Sequence, residues 1–142
     1  MNEYSAIQNQ INLYNDAVNS KNWSILTDVF ANEAAWEIDF APEWNLHGAQ
    51  NIANGLAAMS QEAGVIFQSN SPAAIRIDGD RAWARSAIIE YIDYPNQDIY
   101  YDVMGTYADD FILEDGKWKI ARRQFILTRR VPKKIEILDI QV

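Results

Sequence analysis

The chain is predicted to fold as one α+β domain in which short N-terminal helices and a later, curved antiparallel sheet enclose a pocket. Three observations carry this. Apolar residues recur at helical spacing through the first third of the 142 residues and at strand spacing from Val65 onward. The turn signals Asp78-Gly79, Pro95-Asn96 and Asp115-Gly116 divide the second half into long strands. Aromatic residues make up 12% of the chain, with five Trp and seven Tyr. Such rings can wall an apolar cavity or fill a core, and composition alone does not separate the two.

In the first helix, Ile7, Ile11, Tyr14 and Val18 form one apolar stripe. Ser5 is the expected N-cap, and the polar run from Asn19 to Asn22 ends the helix. Asn22 is then expected to cap a second, short helix with Trp23, Leu26, Val29 and Phe30 on its inner side. A strand follows from Ala34 to Phe40, then the loop Ala41–Asn45. Gly48 precedes a third helix in which Ile52, Leu56 and Met59 keep helical spacing. The remaining strands are expected at Val65–Ile77, Arg81–Tyr94, Ile99–Glu114 and Lys117–Thr128, joined as a meander. Long antiparallel strands twist and coil, so one face curls around the helices. The alternating segment Ile135–Ile140 suits an edge strand or a partner contact. No repeat, linker or second domain is visible.

Composition excludes several classes. Net charge is −8, with 20 acidic against 12 basic residues, and an acidic field repels phosphate backbones, which argues against nucleic acid. The basic run Lys117–Lys134 alternates with apolar residues, as the solvent face of a strand does. No apolar stretch approaches the ~20 residues of a membrane span, and the polar opening residues do not resemble a signal peptide. Absence of cysteine excludes disulfides and zinc–thiolate chemistry and suits a reducing cytoplasm. His47 is the one histidine, placed in a loop beside Gly48, so a surface or capping role is expected of it. No metal or cofactor is expected. The open sheet face and the apolar-alternating C-terminus predict a homodimer.

Several stretches together resemble the SnoaL-like branch of the nuclear-transport-factor-2-like superfamily, which includes ketosteroid isomerase, polyketide cyclases and scytalone dehydratase. They are Tyr14–Phe30, Ala31–Trp36, the helix start His47–Ile52, Ile77–Ala82, Gly105–Asp109 and Asp115–Ile120. In order and spacing they span nearly the whole chain. The resemblance implies a cone-shaped barrel, its curved sheet wrapped around three N-terminal helices. It also implies acid–base proton transfer on a small apolar cyclic carbonyl compound.

Proton transfer beside a carbonyl needs a base and donors where an oxyanion develops. Tyr14 lies on the inward stripe and resembles the oxyanion-stabilising tyrosine of ketosteroid isomerase, although a core Tyr bonded to a backbone carbonyl would read the same. Asp109, two residues after Tyr107, resembles that enzyme's protonated aspartic acid. Beside Tyr14 a neutral Asp109 would complete a two-donor site. The other reading is a structural carboxylate bonded to an arginine such as Arg122. The isomerase's catalytic aspartate falls on Ile38. Strand alternation puts Trp36, Ile38 and Phe40 on one face and Glu37 and Asp39 on the other, so Asp39 reaches a pocket only through a bulge.

Against scytalone dehydratase, the catalytic aspartate corresponds to Asn19, one histidine to Gln68, and the second falls near Asp102. An Asn–Gln pair cannot shuttle protons as an Asp–His pair does. The expected catalytic set is therefore Tyr14, Asp109, Asp39 and Asp102, with Asn19, Trp36, Phe67, Gln68 and Tyr107 contacting substrate. The alternatives are a non-catalytic binding or dimerisation module, or a subunit supporting a larger oxygenase.

Overall fold

A computed structural model describes residues 2–136. Helix α1 (Glu3–Ser20) leads through a 3₁₀ turn to α2 (Leu26–Val29) and strand β1 (Phe30–Ile38). The short β2 (Leu46–His47) and α3 (Ala49–Met59) follow. The second half is β3 (Ile66–Asn70), β4 (Ala74–Asp78), β5 (Arg81–Tyr94), β6 (Ile99–Glu114) and β7 (Lys117–Lys134). The strands form one sheet in the order β2-β1-β7-β6-β5-β3, and β4 pairs with β5 beyond the end of β3. This is the expected α+β architecture, a curved, unclosed sheet with three helices laid in its concavity. No helix among the described residues is long and apolar enough to cross a membrane.

The stripe on α1 is buried as its spacing predicts: Ile7, Ile11, Tyr14, Ala17 and Val18 all face the sheet. Its N-cap is Asn2 rather than Ser5, whose backbone N–H donates to Asn2 Oδ1 at 2.8 Å. Both residue types suit the position, and the helix begins one turn early because Glu3 and Tyr4 are compatible with it. Asn22 makes no side-chain cap; its Oδ1 accepts from the Ser24 hydroxyl.

The sheet departs from a pure meander in two places. β1 runs parallel to β7, so the sheet is mixed rather than antiparallel. Turn signals dictate the direction of sequence neighbours only, and β1 meets a strand from the far end of the chain. The strand expected over 65–77 is broken at Ser71–Ala73, where Pro72 has no N–H to give the ladder. Both halves still pair with β5. The alternation at Ile135–Ile140 falls mostly outside the described residues.

β7 extends past Thr128 to Lys134 because two bulges carry it around the curve of the sheet. Asp110 pairs with Arg122 and Phe111 with Ile120, which leaves Ala121 as an extra residue. Gly105 pairs with Leu127 and Met104 with Arg129, which leaves Thr128 extra. Each extra residue reverses the side to which the following residues point. Trp118 and Ile120 are buried before the first bulge, Arg123 and Phe125 after it.

Gly105 sits on the inner face, where a Cβ would lie 2.7 Å from both the Ile126 carbonyl oxygen and the Phe125 ring. The backbone oxygen cannot yield while the ladder is intact. Gly105→Ala is expected to cost about 1–3 kcal/mol in urea unfolding. An unchanged midpoint would show that the ring and strand accommodate the methyl freely.

Candidate functional site

Helix α1, α3 and the concave face of the sheet enclose a cavity of about 430 Å³. Most of its wall is apolar: Trp23, Trp36, Ile38, Leu56, Ile66 and Phe125 are typical lining residues. A few polar groups converge on it, namely Tyr14, Ser60, Gln68, Glu90, Tyr94, Tyr107 and Arg130. An apolar chamber with a handful of placed polar groups is the usual form of a small-molecule site.

These groups are linked. The Trp36 indole N–H donates to the Tyr14 hydroxyl at 3.1 Å, and the Tyr107 hydroxyl lies 3.5 Å from the same oxygen. Gln68 Nε2 donates to the Tyr107 oxygen at 3.3 Å and to Glu90 Oε2 at 2.5 Å. With Tyr107 donating to Tyr14, the Tyr14 oxygen accepts twice and its own proton is left for the cavity. The Gln68 side-chain carbonyl is buried with no partner, and no protein donor among the described residues bonds Glu90 Oε1.

Burial pushes the Glu90 carboxyl above the ordinary carboxylate range, against the opposing pulls of the Gln68 amide and the Arg130 cation. Burial also raises the phenols, Tyr14 above its ordinary value and Tyr107 well above it, so both stay protonated at neutral pH. One carboxyl is thus placed to take a proton and one phenol to donate a hydrogen bond.

Beneath the phenols lies a fully buried ion pair. Arg123 Nε and Nη2 donate to the two Asp109 oxygens at 2.7 and 2.9 Å. The guanidinium carbon lies over both rings, 4.3 Å from the Tyr14 centre and 3.8 Å from that of Tyr107. Burial alone would lower the Arg123 pKa, but the Asp109 carboxylate outweighs it and the net shift is upward.

The residues singled out from the sequence lie in different surroundings. Tyr14, Trp36, Gln68 and Tyr107 line the cavity, and Trp36, Ile38 and Phe40 share the predicted inner face. Asp109 points inward with Tyr107 but does not reach the cavity; both its oxygens accept from Arg123, so it is no neutral donor beside Tyr14. The arginine reading was nearer, and the Ala121 bulge is why the partner is Arg123 while Arg122 pairs with Glu37 on the outside. Asp39 is exposed and its Oδ1 accepts from the Leu127 backbone, since no bulge turns it inward. Asp102 forms a surface ion pair with Lys133 at 2.7 Å. Asn19 does not face the cavity; its amide donates to the Gln68 carbonyl and accepts from the Gln68 N–H, tying α1 to β3. Phe67 is 61% exposed on the outer side of β3, opposite to the buried Gln68 beside it. His47 lies at the surface, 3.9 Å from Glu33.

Glu90, Arg123 and Arg130 escaped sequence reasoning. Glu90 had a signal: Ala82, Ala84, Ser86, Ile88 and Ile92 occupy the same face of β5, which it interrupts with a charge. The arginines had none, because two bulges set which way they point.

A search of curated proteins finds no match to this chain. Solved structures match it closely in shape at low identity. A hexachlorocyclohexane dehydrochlorinase, LinA-type3, from Novosphingobium barchaimii superposes with a TM-score of 0.84 at 13% identity, covering 95% of this chain and 93% of that one. A protein provisionally assigned as a scytalone dehydratase, from Novosphingobium aromaticivorans, gives 0.80 at 19% identity over 96% and 89%. A nuclear transport factor 2-like superfamily protein from Salmonella enterica gives 0.78 at 15% identity over 89% and 91%. At such identities the likeness speaks for the fold. The family model for the SnoaL-like domain matches residues 1–124, and with the cone-like fold this places the chain in the SnoaL-like domain family.

Proposed function

We propose that the protein is a small-pocket acid–base enzyme of isomerase or lyase type, acting on an apolar cyclic carbonyl compound. The observation that carries this is the raised Glu90 carboxyl sharing an apolar cavity with the Tyr14 phenol, whose proton, with Tyr107 donating to it, has no acceptor among the described residues. Glu90 removes a proton from the carbon next to the carbonyl, and the C–H electron pair forms the C=C bond of an enolate as the carbonyl π pair moves onto oxygen. Tyr14 donates to that oxyanion while Trp36 and Tyr107 hold the phenol in place. The oxyanion then re-forms the carbonyl, and the enolate C=C pair either takes the Glu90 proton at a new carbon or becomes the Cα=Cβ bond as a β-substituent leaves with its own bonding pair, as an anion or with the Glu90 proton. Family membership and the dehydratase and dehydrochlorinase names among its structural neighbours support this class.

Exchange of α-deuterium from a panel of cyclic ketones, followed by NMR, tests the first step whatever product follows. Catalysed exchange is expected for at least one member, slowed about 100-fold by Tyr14→Phe, as for loss of one oxyanion donor. No exchange above buffer across the panel would favour the second reading, a non-catalytic binding module. Asn19 and the Gln68 backbone, locked together structurally, are consistent with that second reading.

A further inference from the structure

The cavity holds two formal charges of opposite sign, and only one has a role so far. Glu90 is held within by Gln68. Arg130 is exposed yet lines the same cavity, so it stands at the open edge. It arrives there through the Thr128 bulge: Leu127 and Arg130 both line the cavity, whereas Arg129 is paired with the exposed Met104.

The other arginines and lysines near it on β7 fall into two groups. Arg122, Arg123, Lys133 and Lys134 each meet a carboxylate, on Glu37, Asp109, Asp102 and Asp98 respectively. Arg129 faces away from the cavity. Arg130 is different from both. Its guanidinium carbon lies over the Tyr101 ring, 3.6 Å from the centre, and no carboxylate among the described residues lies within 4 Å. That contact uses none of its N–H donors, which leaves the fork free for bidentate capture of a planar anion. In a chain of net charge −8, a guanidinium beside the cavity with no carboxylate partner among the described residues is also a local attraction for an anion there.

We propose that the ligand is an amphipathic organic acid, with its apolar ring in the cavity and its carboxylate on Arg130. This rests on the enzyme reading above and narrows its substrate to cyclic keto acids. The ring carbonyl lies towards Tyr14, and the carboxylate points out to solvent. The acid group also tells the pocket which end of an otherwise apolar molecule enters first.

Calorimetric titration with matched pairs tests this directly, using cyclohexylacetate against cyclohexylacetamide and 4-cyclohexylbutyrate against its amide. The acids are expected to bind at least about tenfold more tightly than the amides. Arg130→Gln is expected to erase that difference and leave amide affinity unchanged, which also reports that the cavity is intact. Arg130→Lys should restore part of it, as a point charge without the fork. Equal binding of acid and amide, a preference that survives Arg130→Gln, or no saturable acid binding at about 10 mM would each overturn the proposal. Glu90→Gln separates it from the catalytic reading. That variant should lose α-proton exchange yet keep or strengthen the acid preference, because it removes a like charge. Exchange unaffected by Glu90→Gln sinks the catalytic reading and leaves this one standing; acid preference absent while exchange depends on Glu90 does the reverse.

Discussion

Glu90→Gln is expected to lower α-proton exchange by roughly 100- to 10,000-fold, the range for removing a general base. The substitution is close to isosteric, and the new side-chain carbonyl can still accept from Gln68 Nε2, so the hydrogen-bond chain to Tyr107 and Tyr14 survives. What disappears is the ability to take a proton. The same variant should be at least as stable as the parent near neutral pH. Burial holds the Glu90 pKa above its unfolded value, so the folded state keeps this proton through a window where the unfolded chain has lost it. Stability from this group is therefore present below the ordinary carboxylate pKa and lost as pH rises through the raised one. Thermal melts should show the glutamine variant matching or exceeding the parent near neutrality, with its advantage shrinking on acidification. A variant that melts lower at neutral pH and exchanges protons normally would remove Glu90 from the mechanism.

Asp109→Asn should damage the fold more than the chemistry. It leaves the Arg123 guanidinium fully buried between two tyrosine rings with no counter-charge. Removing one partner of a buried ion pair costs about 3–5 kcal/mol, which at this chain length lowers the melting temperature by roughly 10–17 °C. Removing both partners is different. Asp109→Leu with Arg123→Met replaces the pair by apolar volume and should recover most of the lost stability. It also takes the cation from beneath the phenols, whose acidity it now supports. Urea unfolding of Asp109→Leu, Arg123→Met and the double variant forms a double-mutant cycle, with Asp109→Asn measured beside it. A cost under about 1 kcal/mol for Asp109→Asn would mean that the pair contributes little to the fold.

The helices and the long strands were legible because period and turn chemistry are local properties. Tyr14 was legible for the same reason: a stripe on one helix determines which way its ring points. Trp36, Gln68 and Tyr107 followed from family position and strand alternation. The errors over Asp109 and the β7 arginines have a common physical origin. Asp109 was correctly read as inward-facing, yet its role depends on which arginine opposes it, and a single extra residue in β7 decides that. Arg130 reaches the cavity by a second such residue. Bulges leave almost no trace in composition, so charged groups beyond them cannot be assigned to a face by counting in twos. Glu90 is the instructive exception, since plain alternation exposes it as a carboxylate on an otherwise uncharged inner face.

The parallel pairing of β1 with β7 has a consequence for how the chain matures. Ala35 lies opposite Arg122, and the Arg123 that underlies Tyr14 belongs to that same last strand. Each other long pairing joins strands that are close neighbours along the chain. The cavity floor therefore closes only when the two halves of the polypeptide meet, and the loop-closure entropy of that step falls on the final contact. On a ribosome, α1 and β1 emerge long before the strand that completes them. A nascent chain lacking β7 would hold Tyr14, Phe30 and Ile38 uncovered, competent to collapse but not to bind.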